Sequence, residues 1–333
     1  MKQPDTHLEA ASPSAAVNLR QKKLRGILLP FPTPFDASGE VDARAVRTNI
    51  ERWNETRIDG YIALGSTGER VHLSGRECFE VISAAREAVP QHLAFVVGVG
   101  HESARASIAE ARRAAEAGAD ALLVITPHFY RAAMTQGVLY DYYVAVADAA
   151  PAPLVLYNIP QNTGVALSPE TVARLSRHEN IVGIKDSSGD MVNLMEMLGS
   201  AASEKFAVLT GHASLLYAAL SAGADGAILA AACAAPRTAT AIAGAVARAE
   251  HERARDMQRV LGGFARTVST RYGIGGLKAA LDMSGYTGGA VRAPLAMPDE
   301  AARRDIERLL SACHVIEETA IQDEPQQGRG EVS

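Results

Sequence analysis

From residue 26 to residue 229 the chain alternates two kinds of hydrophobic pattern. Short apolar runs lie at 26–30, 61–64, 94–98, 121–125, 154–157, 181–185, 207–210 and 226–229. Several, such as Ala121-Leu122-Leu123-Val124-Ile125, are unbroken, with no polar residue in alternate places. That is the pattern of parallel strands covered on both faces. Longer Ala-rich amphipathic stretches separate them, among them 42–55, 77–88, 103–117 and 136–149, and these predict helices.

Repeated β–α units imply a parallel sheet with right-handed crossovers. Eight of them in about 200 residues favour a closed (β/α)8 TIM barrel over an open doubly wound sheet. The open sheet ordinarily carries a glycine-rich loop after its first strand. Here that place reads Pro30-Phe31-Pro32-Thr33-Pro34-Phe35, with no glycine. Beyond the eighth run come helical stretches at 252–266, 276–283 and 299–312. The expected division is a flexible N-terminal arm at 1–22, the barrel at 23–239, a C-terminal helical part at 240–317 and a disordered tail at 318–333.

Composition narrows the class of function. The 333 residues are 47% apolar and 21% charged, enough to bury a large core without a disulfide or metal staple. A net charge of −5 leaves no basic excess to draw nucleic acid. The cysteines, Cys78, Cys233 and Cys313, are scattered without metal-ligand spacing, which fits a reducing cytoplasm. No apolar stretch has signal-peptide or transmembrane length, so no membrane partner is expected.

In a barrel of this kind the chemistry sits where the strands end. Lys185 closes the run Ile181-Val182-Gly183-Ile184, so its stem starts inside the barrel mouth. Apolar walls lower an amine's pKa and make it a nucleophile for carbonyls. An ion pair with Asp186 or another rim carboxylate is the competing reading. Tyr157 ends the preceding strand and is a candidate proton carrier, or simply a packed tyrosine. Gly65-Ser66-Thr67-Gly68-Glu69 sets two hydroxyls between glycines, a nest for a carboxylate or a capped turn. Glu69 is expected to hold that loop. His128 and His212 also stand at strand ends, as pocket-lining or surface groups. No His-Glu-x-x-His or other metal spacing occurs, and no Gly-x-Ser-x-Gly elbow. Trp53 is expected to pack from an outer helix.

These segments, with Thr33-Pro34-Phe35, Thr126-Pro127, Tyr157-Asn158-Ile159-Pro160 and Gly183-Ile184-Lys185-Asp186, resemble the dihydrodipicolinate synthase / N-acetylneuraminate lyase superfamily from residue 33 to about residue 294. The resemblance implies a barrel with a C-terminal helical part, commonly a homotetramer built as a dimer of dimers. It implies a Schiff base between Lys185 and a 2-oxo acid, usually pyruvate, with Tyr157 as proton shuttle. Gly65, Ser66 and Thr67 would hold the substrate carboxylate, and no cofactor is needed, since the iminium itself is the electron sink.

Two positions depart from the synthases of that family. Their arginine after the Tyr-Asn-x-Pro motif, which binds the aldehyde's carboxylate, is replaced by Asn162. Their second tyrosine, which reaches across a dimer interface, is replaced by Phe129. Tyr130, His128 or water then completes the proton relay, or the relay is absent. Other segments, including Pro160-Gln161-Asn162-Thr163-Gly164 and Lys185-Asp186-Ser187-Ser188-Gly189-Asp190, resemble 4-hydroxy-2-oxoglutarate aldolase more closely. The main expectation is therefore an aldolase releasing pyruvate and an aldehyde such as glyoxylate, with Ser187 near the far end of the substrate. The alternatives are a 2-keto-3-deoxy sugar-acid dehydratase or aldolase, a 4-hydroxy-tetrahydrodipicolinate synthase, and a keto-acid-binding barrel without turnover.

Overall fold

The structure is a computed structural model that describes residues 18–19 and 23–322. The rest of the expected arm, and the expected tail beyond 322, lie outside the described residues. Leu19, placed in the arm by the sequence, is instead buried with Leu24 against the barrel interior.

Among the described residues eight strands pair in chain order, all parallel. They are β1 (Gly26–Pro30), β2 (Gly60–Ala63), β3 (Ala94–Val99), β4 (Ala121–Ile125), β5 (Leu154–Asn158), β6 (Ile181–Asp186), β7 (Ala207–Thr210) and β8 (Gly226–Ile228). β8 pairs with β1, and the sheet closes into a (β/α)8 barrel. The covering helices are α1 (Ala43–Trp53), α2 (Gly75–Ala88), α3 (Ala104–Glu116), α4 (Gln136–Ala149), the short α5 (Pro160–Thr163), α6 (Pro169–Leu175), α7 (Met191–Ser200), α8 (Leu216–Ser221) and α9 (Pro236–Ala247).

Side chains from the strands divide into two apolar layers. Leu28, Ile62, Val96, Leu123, Val155 and Leu209 fill the barrel. Their neighbours Ile27, Leu29, Leu122, Val124, Leu154 and Leu156 face the helices. Both faces are dry, which is why the strands read as unbroken apolar runs. Trp53 is buried as expected. It donates to Cys233 O at 2.9 Å and stacks on Tyr286 with ring centroids 5.0 Å apart.

The end of the barrel opposite the strand tips is tied by aspartates. Asp59, Asp120 and Asp225 stand immediately before β2, β4 and β8. Their carboxylates accept from Ile27 N at 2.8 Å, Phe95 N at 2.8 Å and Val208 N at 2.9 Å. Each satisfies a backbone donor on the neighbouring strand.

One strand breaks the period of two. Leu154 pairs with Ile181, but Val155 pairs with Gly183, so β6 carries one extra residue at Val182. Such a bulge reverses which face every later side chain takes. Unbroken alternation from Ile181 over the same residues would point Lys185 at the helices. With the bulge Lys185 sits opposite Tyr157, and both turn inward.

After α9 the chain continues as α10 (His251–Ala265), a π-helical turn (Arg266–Arg271), α11 (Gly273–Met283) and α12 (Glu300–Gln322). Two expected boundaries need correction. The division at 239/240 falls inside α9, which completes the eighth unit. The last helix runs five residues past 317, so 318–322 are helical and not part of a disordered tail. Glu317 explains why no seam opens there. Its carboxylate accepts from Arg237 N at 2.8 Å and Thr238 N at 3.2 Å, capping the start of α9 from α12.

Candidate active site

The strand tips open into a cavity of about 800 Å³. Gly65, Ser66, Thr67, His128, Tyr157, Asn162, Lys185, Ser187 and His212 all line it. Tyr130 does not, and is 68% exposed; Phe129 beside it is 73% exposed. The two rings meet edge to face, 5.0 Å apart, on the outer surface. Within this one chain Tyr130 stands outside the cavity, while His128 is in its lining.

Lys185 is 4% exposed and Tyr157 3%. The Lys185 Nζ stands 4.4 Å from the centre of the Tyr157 ring. The Tyr157 hydroxyl shares a 2.7 Å hydrogen bond with Ser66 Oγ. Asp186, the competing partner for the lysine, is turned elsewhere. Asn158 Nδ2 donates to its Oδ1 at 2.6 Å and Ser188 Oγ to its Oδ2 at 2.8 Å. Among the described residues Lys185 forms no ion pair. Gly211 makes room for the stem of Lys185. A Cβ there would stand 1.9 Å from Ser187 Oγ and 2.9 Å from Lys185 Cε.

The loop after β2 is held in an unusual path. Leu64 has φ 56° and Glu69 φ 54°. Left-handed backbone at such residues costs about 1–3 kcal/mol each and persists only where the surroundings enforce it. The enforcement is visible. Gly98 lets the Leu64 carbonyl approach, for a Cβ there would be 2.2 Å from that oxygen. Glu69 Oε1 pairs with the buried Lys278 Nζ at 2.6 Å, and its Oε2 accepts from Arg292 N at 3.1 Å. Between them, Ser66–Gly68 form a 3₁₀ turn. Its first N–H groups have no partner within the turn, and Ser66 and Thr67 line the cavity.

Arg292 extends the clamp. It donates to His72 O and Gly39 O and pairs with Glu77 at the start of α2. The Arg292 guanidinium holds the Glu77 carboxyl down to about 2 from an ordinary 4.5. A folded value below the unfolded one stabilises the protein above about 4.5, and that stabilisation is lost as the pH falls towards about 2. Glu77→Gln will thus melt below wild type at pH 6, with the gap in Tm narrowing below about pH 4.5 and closing towards about pH 2. A constant gap across a calorimetric pH series would contradict this assignment.

Sequence reasoning missed Lys278, Arg292 and Arg266. The first two lie more than 200 positions from the loop they hold, and no local pattern connects them. Among the described residues no three His, Cys, Asp or Glu side chains converge as metal ligands.

A model of the dihydrodipicolinate synthetase family matches residues 23–313. The chain belongs to that family. It is a carbon–carbon lyase of the Schiff-base-lysine type that the family shares. A 4-hydroxy-tetrahydrodipicolinate synthase of Haloarcula marismortui is 35% identical over 270 residues, which is 81% of this chain and 87% of that one. The structure of the corresponding synthase from Methylacidiphilum fumariolicum SolV superposes with a TM-score of 0.84 at 28% identity, covering 90% and 99% of the two chains. A prophage member of the family from E. coli K12, solved in complex with pyruvate, gives 0.82 at 28% identity, covering 87% and 99%. The departures at Asn162 and Phe129 therefore lie within a dihydrodipicolinate synthetase family barrel of ordinary shape. No helix among the described residues is long and apolar enough to cross a membrane.

Proposed function

We propose that Lys185 is the Schiff-base nucleophile of a pyruvate aldolase whose second substrate or product is a carboxylate-bearing aldehyde. The observation that carries this reading is the buried line of Lys185, Tyr157 and Ser66 at the cavity floor, with no carboxylate to hold the lysine. Lys185 Nζ adds to C2 of a 2-oxo acid and water leaves, giving an iminium. The 3₁₀ turn with Ser66 and Thr67 takes the C1 carboxylate. Tyr157 accepts the 4-hydroxyl proton as its own passes along the hydrogen bond to Ser66 and out to the cavity water, the C3–C4 bond breaks, and the electrons of that bond pass to the iminium. The aldehyde departs, and the enamine is protonated and hydrolysed to pyruvate and free Lys185.

Run forward as cleavage, 4-hydroxy-2-oxoglutarate would yield glyoxylate. Run as condensation, the same steps serve 4-hydroxy-tetrahydrodipicolinate synthesis, which the names of the relatives favour. Asn162, standing where those synthases have arginine, favours the cleavage reading. The exposed Phe129–Tyr130 pair supports a further proposal, that a second copy covers this rim in a homotetramer.

Incubation with pyruvate and borohydride, followed by intact-mass analysis and peptide mapping, tests the reading. A reduced pyruvyl adduct on the Lys185 peptide is expected. Unmodified wild-type protein would remove the pyruvate reading altogether. Tyr157→Phe is expected to keep the adduct while kcat falls roughly 10²- to 10⁴-fold, the range for a lost general acid–base. Equal loss of adduct and turnover would make Tyr157 a packing residue instead.

A further inference from the structure

The cavity has a second polar wall that the steps above leave unused. His212, on the loop after β7, lines it, and its Nδ1 is shielded from solvent with no hydrogen-bond partner among the described residues. A buried polar atom left unpaired is costly unless something arrives to pair with it. The His212 ring packs over Gly189 of the loop after β6, where a Cβ would stand 3.3 Å from Cδ2.

The π-helical turn Arg266–Arg271 borders the same cavity, lining it with Arg266, Ser269 and Thr270. Turns of this type are rare and recur at functional sites. A Cβ on Gly262 would stand 3.5 Å from Arg266 Nη1 and 3.8 Å from Ser214 Cα. The guanidinium thus lies beside the loop that carries His212.

Charge decides what this wall takes. Of the charged groups lining the cavity, Glu69 is neutralised by Lys278, and Arg70 by Glu110. His128 faces Glu102. Lys185 and Arg266 remain without a carboxylate among the described residues. The C1 carboxylate goes to the Ser66–Gly68 turn beside the lysine, while Arg266 stands exposed at the cavity rim with its charge free to meet a second anion.

We propose that Arg266 and His212, with the hydroxyls of the π-helical turn, form a subsite for the distal carboxylate of a dicarboxylic 2-oxo acid. This subsite stands in for the arginine that Asn162 replaces. The inference rests on the Schiff-base reading of Lys185 and adds where the far end of the substrate binds. It makes the enzyme selective for acids charged at both ends.

The test uses borohydride trapping on the full chain with two acids of equal length, 2-oxoglutarate and 2-oxopentanoate. They differ only in a carboxylate against a methyl at the far end. Wild type is expected to reach half-maximal labelling of Lys185 at a lower concentration of 2-oxoglutarate. Arg266→Ala is expected to reduce that preference roughly 10- to 100-fold, as for a lost charge-assisted hydrogen bond. Arg266→Lys should retain part of it, and His212→Ala should lose part of it. Pyruvate labelling of wild type, run in parallel, separates the two ideas. If pyruvate labels Lys185 but 2-oxoglutarate is not preferred, or the preference survives Arg266→Ala, the subsite is overturned and the Schiff-base reading stands. If no oxo acid labels Lys185, it is the Schiff-base reading that fails.

Discussion

Lys185→Ala will fold, bind no oxo acid covalently and lose turnover by a factor on the order of 10⁵. The expectation of intact folding follows from the site. The side chain ends in an 800 Å³ cavity and forms no ion pair among the described residues, so truncation leaves no buried charge stranded. Asp186 is already satisfied by Asn158 and Ser188 and does not depend on its neighbour. A thermal melt matching wild type to within a few degrees, with borohydride labelling gone, is the expected pair of results. Lys185→Arg should behave alike, because a guanidinium keeps its proton and cannot attack a carbonyl. Turnover surviving at more than a hundredth of wild type would assign the nucleophile elsewhere.

The largest effect on stability is expected at Lys278. This lysine is fully buried and touches Glu69 Oε1 at 2.6 Å, donates to Ala290 O at 2.5 Å, and lies 4.4 Å from the centre of the Phe35 ring. Burial pushes its ammonium pKa down, and the Glu69 carboxylate pulls it back up. Lys278→Met strands the Glu69 carboxylate in a dry site, and breaking such a pair costs about 3–5 kcal/mol. The damage will not stop at stability. Glu69 fixes the left-handed corner below Ser66 and Thr67, so the KM for the 2-oxo acid should rise as well. The double variant Glu69→Leu with Lys278→Met removes both charges and should recover much of the lost stability, but not the KM. Denaturant titrations of the three variants check this. If the double variant is no more stable than Lys278→Met alone, the cost comes from packing around the lysine, not from the stranded charge.

Much of the fold was legible because the strands announce themselves locally. All eight apolar runs became strands, with ends displaced by no more than a residue. The helices of the C-terminal part were placed with looser ends, since α12 (Glu300–Gln322) runs ten residues beyond the stretch expected at 299–312. The division at 239/240 failed because α9 packs between barrel and C-terminal helices, a relation set by Glu317 from 80 residues away. The candidate site was legible for Lys185, Tyr157 and the 65–69 loop, because strand ends can be counted along the chain. Tyr130 turns to the outer surface, a direction the sequence does not give for a loop residue. Arg266 and Lys278 were unreadable for another reason: they belong to helices that reach the cavity only after the barrel has closed. One signal went unread. Gly-Ala-Asp occurs at 118–120 and again at 223–225, and it marks two of the three aspartates that tie the barrel floor.

The extra residue in β6 also sets a rule for engineering and for sequence drift. The pairing register, not the count of residues from Ile181, aims the lysine. Deleting Val182 would place Gly183, Ile184 and Lys185 opposite Val155, Leu156 and Tyr157 in unbroken alternation, with the amine still turned inward. The bulge is thus the means by which β6 absorbs one extra residue without losing its aim. Anyone grafting Gly-Ile-Lys-Asp onto a different barrel must match the lysine to the inward position on the neighbouring strand, whatever the count of residues before it.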